Sequence, residues 1–208
     1  MHPILEKAQC EEIMKKDIIL CGVGGQGILS IATVIGEAAT AADLHLKQAE
    51  VHGMSQRGGD VESDLRLSTE PVHSDLIANG TADIILSMEP MEALRYLKYL
   101  ASDGAVITAS EPLVNIPDYP DHEALLSEIK ALPNVTMCDI GSLARESGNV
   151  RGANMVLLGM AASHIGLVSP DGLREAITRV FSAKGEKVVE ANLAAFDLGM
   201  AAAKRRTA

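Results

Sequence analysis

The chain has 208 residues, a length suited to one core domain, and its 18 basic and 28 acidic residues give a net charge of −10. With three Tyr, two Phe and no Trp, it lacks the basic footprint and stacking platforms of nucleic-acid binders. No apolar run approaches the roughly 20 residues of a membrane helix, and the charged opening "MHPILEKAQCEEIMKK" does not fit a signal peptide.

Cys10, Cys21 and Cys138 have no CxxC spacing of the zinc or iron–sulfur kind, and a sparse odd set fits a reducing compartment. These features predict a cytoplasmic protein with no nucleic-acid partner and no membrane partner.

Residues 1–16 read as a tail or short helix, and 17–208 as a single domain. "DIILC" (17–21) is a short apolar run of the kind a buried strand shows, "GVGGQG" (22–27) follows it, and "ILSIATVIGEAATAAD" (28–43) has a helical pattern. "LHLKQAEV" (44–51) alternates as a second strand. "VESDLRLS" (61–68) sets Val61, Ser63, Leu65 and Leu67 against Glu62, Asp64, Arg66 and Ser68, predicting a half-exposed antiparallel or edge strand. "STEPVHS" (68–74) reads as a turn into a brief return strand.

"ADIILSMEP" (82–90) is a buried strand, with Pro90 at the first position of the helix "MEALRYLKYL". A strand at "GAVITAS", a proline-marked loop, the helix "DHEALLSEIKAL" and the strand "NVTMCDI" follow. Beyond position 140 the pattern is helical throughout. "GANMVLLGMAAS" (152–163) is apolar nearly all round, Ser169 and Pro170 sit where an N-cap and first helical residue belong, and two apolar stripes run through Leu173, Ile177, Val180 and Phe181 and through Val189, Leu193, Phe196 and Met200. The fold class this predicts is α/β: a Rossmann-like, mainly parallel sheet with flanking helices and a helical C-terminal part.

Gly22, Gly24 and Gly27 match GxGxxG between a strand and a helix, with Gly25 and Gln26 between them. Glycines let a backbone turn tightly and approach a ligand, and the helix start offers free N–H groups to an anion. A tight turn with no ligand explains the same residues. A dinucleotide site would need an acid about 20 residues on; Glu50 is the candidate and Asp43 a weaker one.

The chain then continues into "EVHGMSQRGG" (50–59). His52, Ser55, Gln56 and Arg57 fall at a strand's C-terminal end, where open α/β sheets bind ligands. Arg57 can clamp a phosphate or carboxylate, Gly58 and Gly59 allow a reversal beside it, and His52 could donate to an anion or move a proton. A turn whose polar groups satisfy one another is the competing reading.

"GVGGQG", "EVHGMSQRGG", "VHSDLI" and "SMEPMEALRYLKYL", in that order, resemble the gamma-type subunit or domain of the 2-oxoacid:ferredoxin oxidoreductases. "GANMVLLG" and "VVEANLAAFDLG" extend the resemblance over nearly all of residues 17–203. Within that family "HGMSQRGG" is similar to the indolepyruvate branch, in its beta subunit.

The resemblance implies part of an enzyme that converts a 2-oxoacid, coenzyme A and oxidised ferredoxin to an acyl-CoA, carbon dioxide and reduced ferredoxin. In the indolepyruvate type the 2-oxoacids would be arylpyruvates. It implies a larger partner subunit carrying thiamine diphosphate, magnesium and 4Fe-4S clusters, with ferredoxin engaged through the complex, and this chain inactive alone but able to form a homodimer when isolated. It also implies that Gly24–Gly27 and Gln56–Gly59 face that partner and the coenzyme A path. Consistent with this division, the chain has no cysteine cluster, no Gly-Asp-Gly segment followed by an Asn, and no HExxH, GxSxG or Walker sequence.

Two other readings remain at this stage. One is an NAD(P)-binding Rossmann oxidoreductase, supported by GxGxxG and Glu50. The other is a nucleotide- or coenzyme A-sensing module that dimerises through its helical half.

Overall fold

The computed structural model describes residues 13–53 and 59–205. Six strands form one sheet in the order β2-β3-β1-β4-β5-β6. β1 (Lys15–Val23), β4 (Ala82–Ser87), β5 (Leu100–Ala109) and β6 (Val135–Cys138) pair in parallel. Ile18 to Leu20 and Ile84 to Leu86 are at most 1% exposed, the signature of strands covered on both faces.

β2 (His45–His52) and β3 (Asp60–Ser68) add an antiparallel hairpin to the other side of β1. β3 is antiparallel, as its alternation predicts, but it is an interior strand and part of its second face is covered. Asp64 and Ser68 are buried there because residues 69–81 fold over them. The Ile77 N–H donates to Asp64 Oδ2 at 2.9 Å. The brief return strand expected after Ser68 does not form: Arg66 Nη1 donates to the carbonyls of Ser74 and Leu76, which takes up backbone acceptors a ladder would need.

Helix α1 (Ile28–Ala41) follows β1, and the turn after it places Asp43 at φ 56°. α2 (Pro90–Arg95) begins at Pro90, with the Glu89 carboxylate accepting from the Glu92 N–H. It stops five residues short of the predicted end. Tyr96 is buried and stacked on Tyr99, residues 97–99 form a 3-10 turn, and Leu100 already pairs with Ala82. Tertiary packing here overrides a helical apolar pattern.

α3 (His122–Lys130) and α4 (Ile140–Glu146) are capped by Asp121 and Asp139. α5 (Ala153–Ile165), α6 (Pro170–Phe181) and α7 (Glu186–Lys204) build the helical C-terminal part, and Ser169 caps α6 as its position predicts. Asn154 through Ala162 of α5 are all buried. α5 packs between the sheet and α7, where Gly159 and Gly199 let the two backbones meet. Among the described residues, no helix is long and apolar enough to cross a membrane.

Candidate functional site

The parallel strands β1, β4 and β5 end at one edge of the sheet, and the glycine loop crosses that edge. Gly22 is held so closely that a Cβ would lie 2.8 Å from both Gln26 Oε1 and Ile28 Cδ1. The Gln26 side chain explains the crowding: its Oε1 accepts from the Val23 N–H at 2.7 Å, and its Nε2 donates to the Met88 carbonyl at 3.2 Å. Gln26 therefore braces the loop against the end of β4 with its own amide.

Gly27 is the N-cap of α1 at φ 87°, and no side chain among the described residues caps that helix. Asn154, near the start of α5, donates to the Gly27 carbonyl at 3.2 Å, and its Oδ1 accepts from the Met155 N–H. A buried helix thus pins the loop from the far end of the sequence. Gly25, at φ 100°, meets no atom within 4 Å of where its Cβ would lie, so it presents bare backbone outward. An uncapped helix start beside exposed glycine backbone is suited to an anion.

The hairpin loop reaches the same edge. β2 runs upward beside β3 and ends at His52, and β3 descends again from Asp60. The Gly24 N–H donates to the Gly59 carbonyl at 2.8 Å, which joins the two loops directly. Ser55, Gln56, Arg57 and Gly58 lie outside the described residues, as does the side chain of His52.

Glu50 does not take the ribose-binding place that a dinucleotide fold gives an acid. Its strand is separated from β1 by β3, and Gln48 Nε2 donates to its carboxylate at 2.6 Å. Strand alternation identified β2 correctly but carried no information about its neighbour. Asp43 lies in the turn after α1, before β2 begins at the sheet's other end.

A cavity of about 520 Å³ opens beside the loop, with Gly25, Gln26 and Gly27 on one wall and Met88 and Ala109 at the strand ends. Glu111, Gly141, Arg151 and Asn154 line the rest. A smaller hollow of about 300 Å³, walled by Gly24, Ile28, Leu29 and Val61, lies on the loop's other side. Exposed Arg151 is a cation at the cavity wall that motif reading missed. Its one signal in the sequence is its place directly before the glycine that opens the apolar run of α5.

Glu111 was also missed. Burial pushes its carboxyl up from the ordinary range, the Ser110 hydroxyl draws it back, and neighbouring Asp139 raises it again. Asp139 goes the other way: burial is outweighed by the Ser142 hydroxyl and N–H, which hold it low.

The loop behind Glu111 is anchored by Glu89, fully buried at the end of β4. Its carboxylate accepts from the Glu92 and Leu113 N–H groups at 3.0 and 3.3 Å, and from the Tyr119 hydroxyl. Cys21 is unsuited to holding a cluster. Its thiol is buried and donates to the Glu92 carbonyl at 3.7 Å, and burial raises its pKa strongly.

Residues 17–202 match the family model described as pyruvate ferredoxin/flavodoxin oxidoreductase. The chain is 38% identical over 197 residues to an indolepyruvate oxidoreductase subunit IorB of Pyrococcus horikoshii, covering 90% of this chain and 96% of that one. A solved structure of a keto/oxoacid ferredoxin oxidoreductase gamma subunit from Geobacter sulfurreducens superposes with a TM-score of 0.67 at 26% identity, covering 91% and 99% of the two chains. A 2-oxoglutarate:ferredoxin oxidoreductase from Magnetococcus marinus, solved with 2-oxoglutarate, coenzyme A and succinyl-CoA bound, matches at a TM-score of 0.72 and 25% identity. The match covers 92% of this chain but 31% of that much longer one.

Proposed function

The chain belongs to the pyruvate ferredoxin/flavodoxin oxidoreductase family, and we propose that it is the cluster-free small subunit of an arylpyruvate-type 2-oxoacid:ferredoxin oxidoreductase. In this reading it completes the active site of a larger subunit and lines the approach of coenzyme A. The observation that carries the second part is the junction of the two glycine loops, Gly24 on Gly59, with the smaller hollow at Gly24 and the larger cavity across the loop at Gly25–Gly27. The likeness to an indolepyruvate oxidoreductase subunit supports the substrate class, and coenzyme A bound in the Magnetococcus enzyme supports the ligand.

The residues divide the work. Gln26 and Asn154 hold the loop in shape, and the Gly24 and Gln26 N–H groups are bonded to the Gly59 and Val23 carbonyls, so in this reading the N–H groups of Gly25, Gly27 and Ile28 are the ones that meet phosphate oxygens. Arg151 supplies positive charge on the opposite wall, and the sequence offers Arg57, outside the described residues, as a further candidate cation. The sparse aromatics of this chain leave arylpyruvate stacking mainly to the partner.

Thiamine diphosphate, when bound, would supply the carbanion chemistry of decarboxylation. In this reading thiamine diphosphate, magnesium and the iron–sulfur clusters belong to the larger subunit, which is supported by the lack of a cysteine cluster and of a Gly-Asp-Gly segment followed by an Asn in this chain. An NAD(P) dehydrogenase is the weaker reading because Glu50 stands two strands from the glycine loop.

The test is Arg151→Ala and Arg57→Ala in the assembled enzyme. Loss of a charge-assisted bond should weaken coenzyme A by roughly 1.5–3 kcal/mol, seen as a raised KM with assembly intact. Unchanged coenzyme A affinity in both variants would remove this edge from the coenzyme path.

A further inference from the structure

An acidic hollow lies on the side of the β2–β3 hairpin facing away from α1. Cross-strand pairing sets Val51 opposite Glu62 and Ala49 opposite Asp64, and with Leu76 and Tyr99 they enclose about 180 Å³. Asp64 is 7% exposed. One of its carboxylate oxygens accepts from the Ile77 N–H; the other, Oδ1, is buried and has no hydrogen-bond partner among the described residues.

The cations around the hollow are largely committed. Arg66 is bidentate to Asp17, and Lys47 pairs with Asp75 at 3.0 Å. Lys98 lies over the Tyr99 ring and exerts its charge on Glu62, to which Tyr96 is also hydrogen-bonded. Burial raises both carboxyls, and the charge of Asp64 adds to the effect on Glu62. At the mouth, Leu76 and Val51 are 64% and 57% exposed, and β2 is an edge strand of the sheet.

We propose that this hollow seats one basic side chain, arginine or lysine, of the larger partner subunit. Its cation would meet Asp64 and Glu62, and its aliphatic stem would cover Val51, Leu76 and Tyr99. A buried carboxylate oxygen without a donor is costly, and a cationic N–H supplies the missing partner. Arginine and lysine combine that head with an apolar stem, which matches an acidic floor under an apolar rim. The net charge of −10 favours a basic partner surface. The inference rests on membership of a multi-subunit family and not on the coenzyme A reading, since the hollow is separate from the large cavity.

The complex of both full-length subunits is the system to test, with subunit affinity measured for Asp64→Asn and Leu76→Lys. Leu76 is a surface residue, so its variant should fold with the melting temperature of the parent while placing a like charge at the mouth. Each substitution should weaken assembly tenfold or more without altering the coenzyme A KM of enzyme assembled at high concentration. Unchanged affinity for Leu76→Lys overturns the proposal, and this variant decides even where Asp64→Asn fails to fold. A melting temperature of the isolated parent chain that rises with magnesium or potassium ions, but not in Asp64→Asn, would also overturn it, because the hollow would then be an ion site.

Discussion

The backbone N–H of Gly24 donates to the carbonyl of Gly59 across 2.8 Å, joining two loops that lie 35 residues apart in the chain. Neither loop follows the other along the sheet. β3 returns antiparallel to β1, so its start lies beside the end of β1. The hairpin thereby delivers a second polar loop to the edge where the glycine loop turns.

Gly27 is a position where this edge tolerates a side chain poorly. Its φ of 87° is unfavourable for other residues, and an added Cβ would lie 2.7 Å from Asn154 Nδ2. Gly27→Ala should cost about 1–3 kcal/mol and displace Asn154 from the loop. Thermal unfolding checks the first effect, and the coenzyme A KM of assembled enzyme checks the second. Asn154→Ala should reproduce the KM change without backbone strain.

The crossing of α5 and α7 sets two opposing effects against each other. Alanine in a helix is favoured over glycine by roughly 0.5–1 kcal/mol. At Gly159, however, a Cβ would lie 2.0 Å from the Phe196 carbonyl oxygen, and at Gly199 the same distance from that of Val156. Backbone cannot yield as a flexible side chain can, so the clash wins. Gly159→Ala and Gly199→Ala should each destabilise by about 3 kcal/mol, whereas Gly148→Ala, with no atom near its Cβ, carries only the strain of its φ of 77°. Denaturant midpoints of the three variants rank them.

Glu89 ties the cavity wall to the sheet. Glu89→Ala leaves the Leu113 and Glu92 N–H groups and the Tyr119 hydroxyl without their acceptor, a loss of about 2 kcal/mol or more. Burial and then Glu89 push the Tyr119 hydroxyl pKa up, so it stays protonated as a donor. Hydrogen exchange over residues 111–120 should accelerate well beyond that of the β-sheet core. Tyr119→Phe should give a milder version, about 1 kcal/mol.

Asp17 should carry part of the acid sensitivity. Burial acts to raise its carboxyl, and the hydrogen bonds from Arg66 and Lys15 overcome that, leaving it below the ordinary 3.8. With a folded pKa lower than the unfolded one, its contribution is complete above pH 3.8 and is lost as pH falls through the depressed value. Asp64 and Glu92 have the opposite sign, since burial raises both and their contributions weaken as pH rises. The difference between parent and Asp17→Asn stability curves isolates the Asp17 part, which should shrink only on the acid side. Arg66→Ala leaves the buried Asp17 carboxylate with Lys15 as its remaining cation and should cost about 3 kcal/mol at neutral pH.

Much of this architecture can be read from residue pattern. The apolar runs at Ile18–Leu20 and Ile84–Leu86 mark strands covered on both faces, and Pro90 and Ser169 mark helix starts. Strand order is less legible, because alternation in β2 reveals one buried face but not which strand pairs with it. Glu50 was misplaced for that reason. Residues 96–100 look helical by period, yet the Tyr96–Tyr99 stack and the pairing of Leu100 with Ala82 arise only in the folded chain. At the candidate site the glycines are conspicuous, whereas Arg151 and Glu111 matter only through a cavity built by distant segments.

The most direct measurement is a tagged pull-down from native cells, followed by assay of the eluate for iron, acid-labile sulfide, thiamine diphosphate and coenzyme A-dependent oxidation of indolepyruvate. A larger subunit carrying iron–sulfur clusters and thiamine diphosphate should accompany this chain, and activity should require both subunits. Recovery of the chain alone and cofactor-free, or arylpyruvate oxidation by the isolated chain, would contradict a small subunit that works only within the complex.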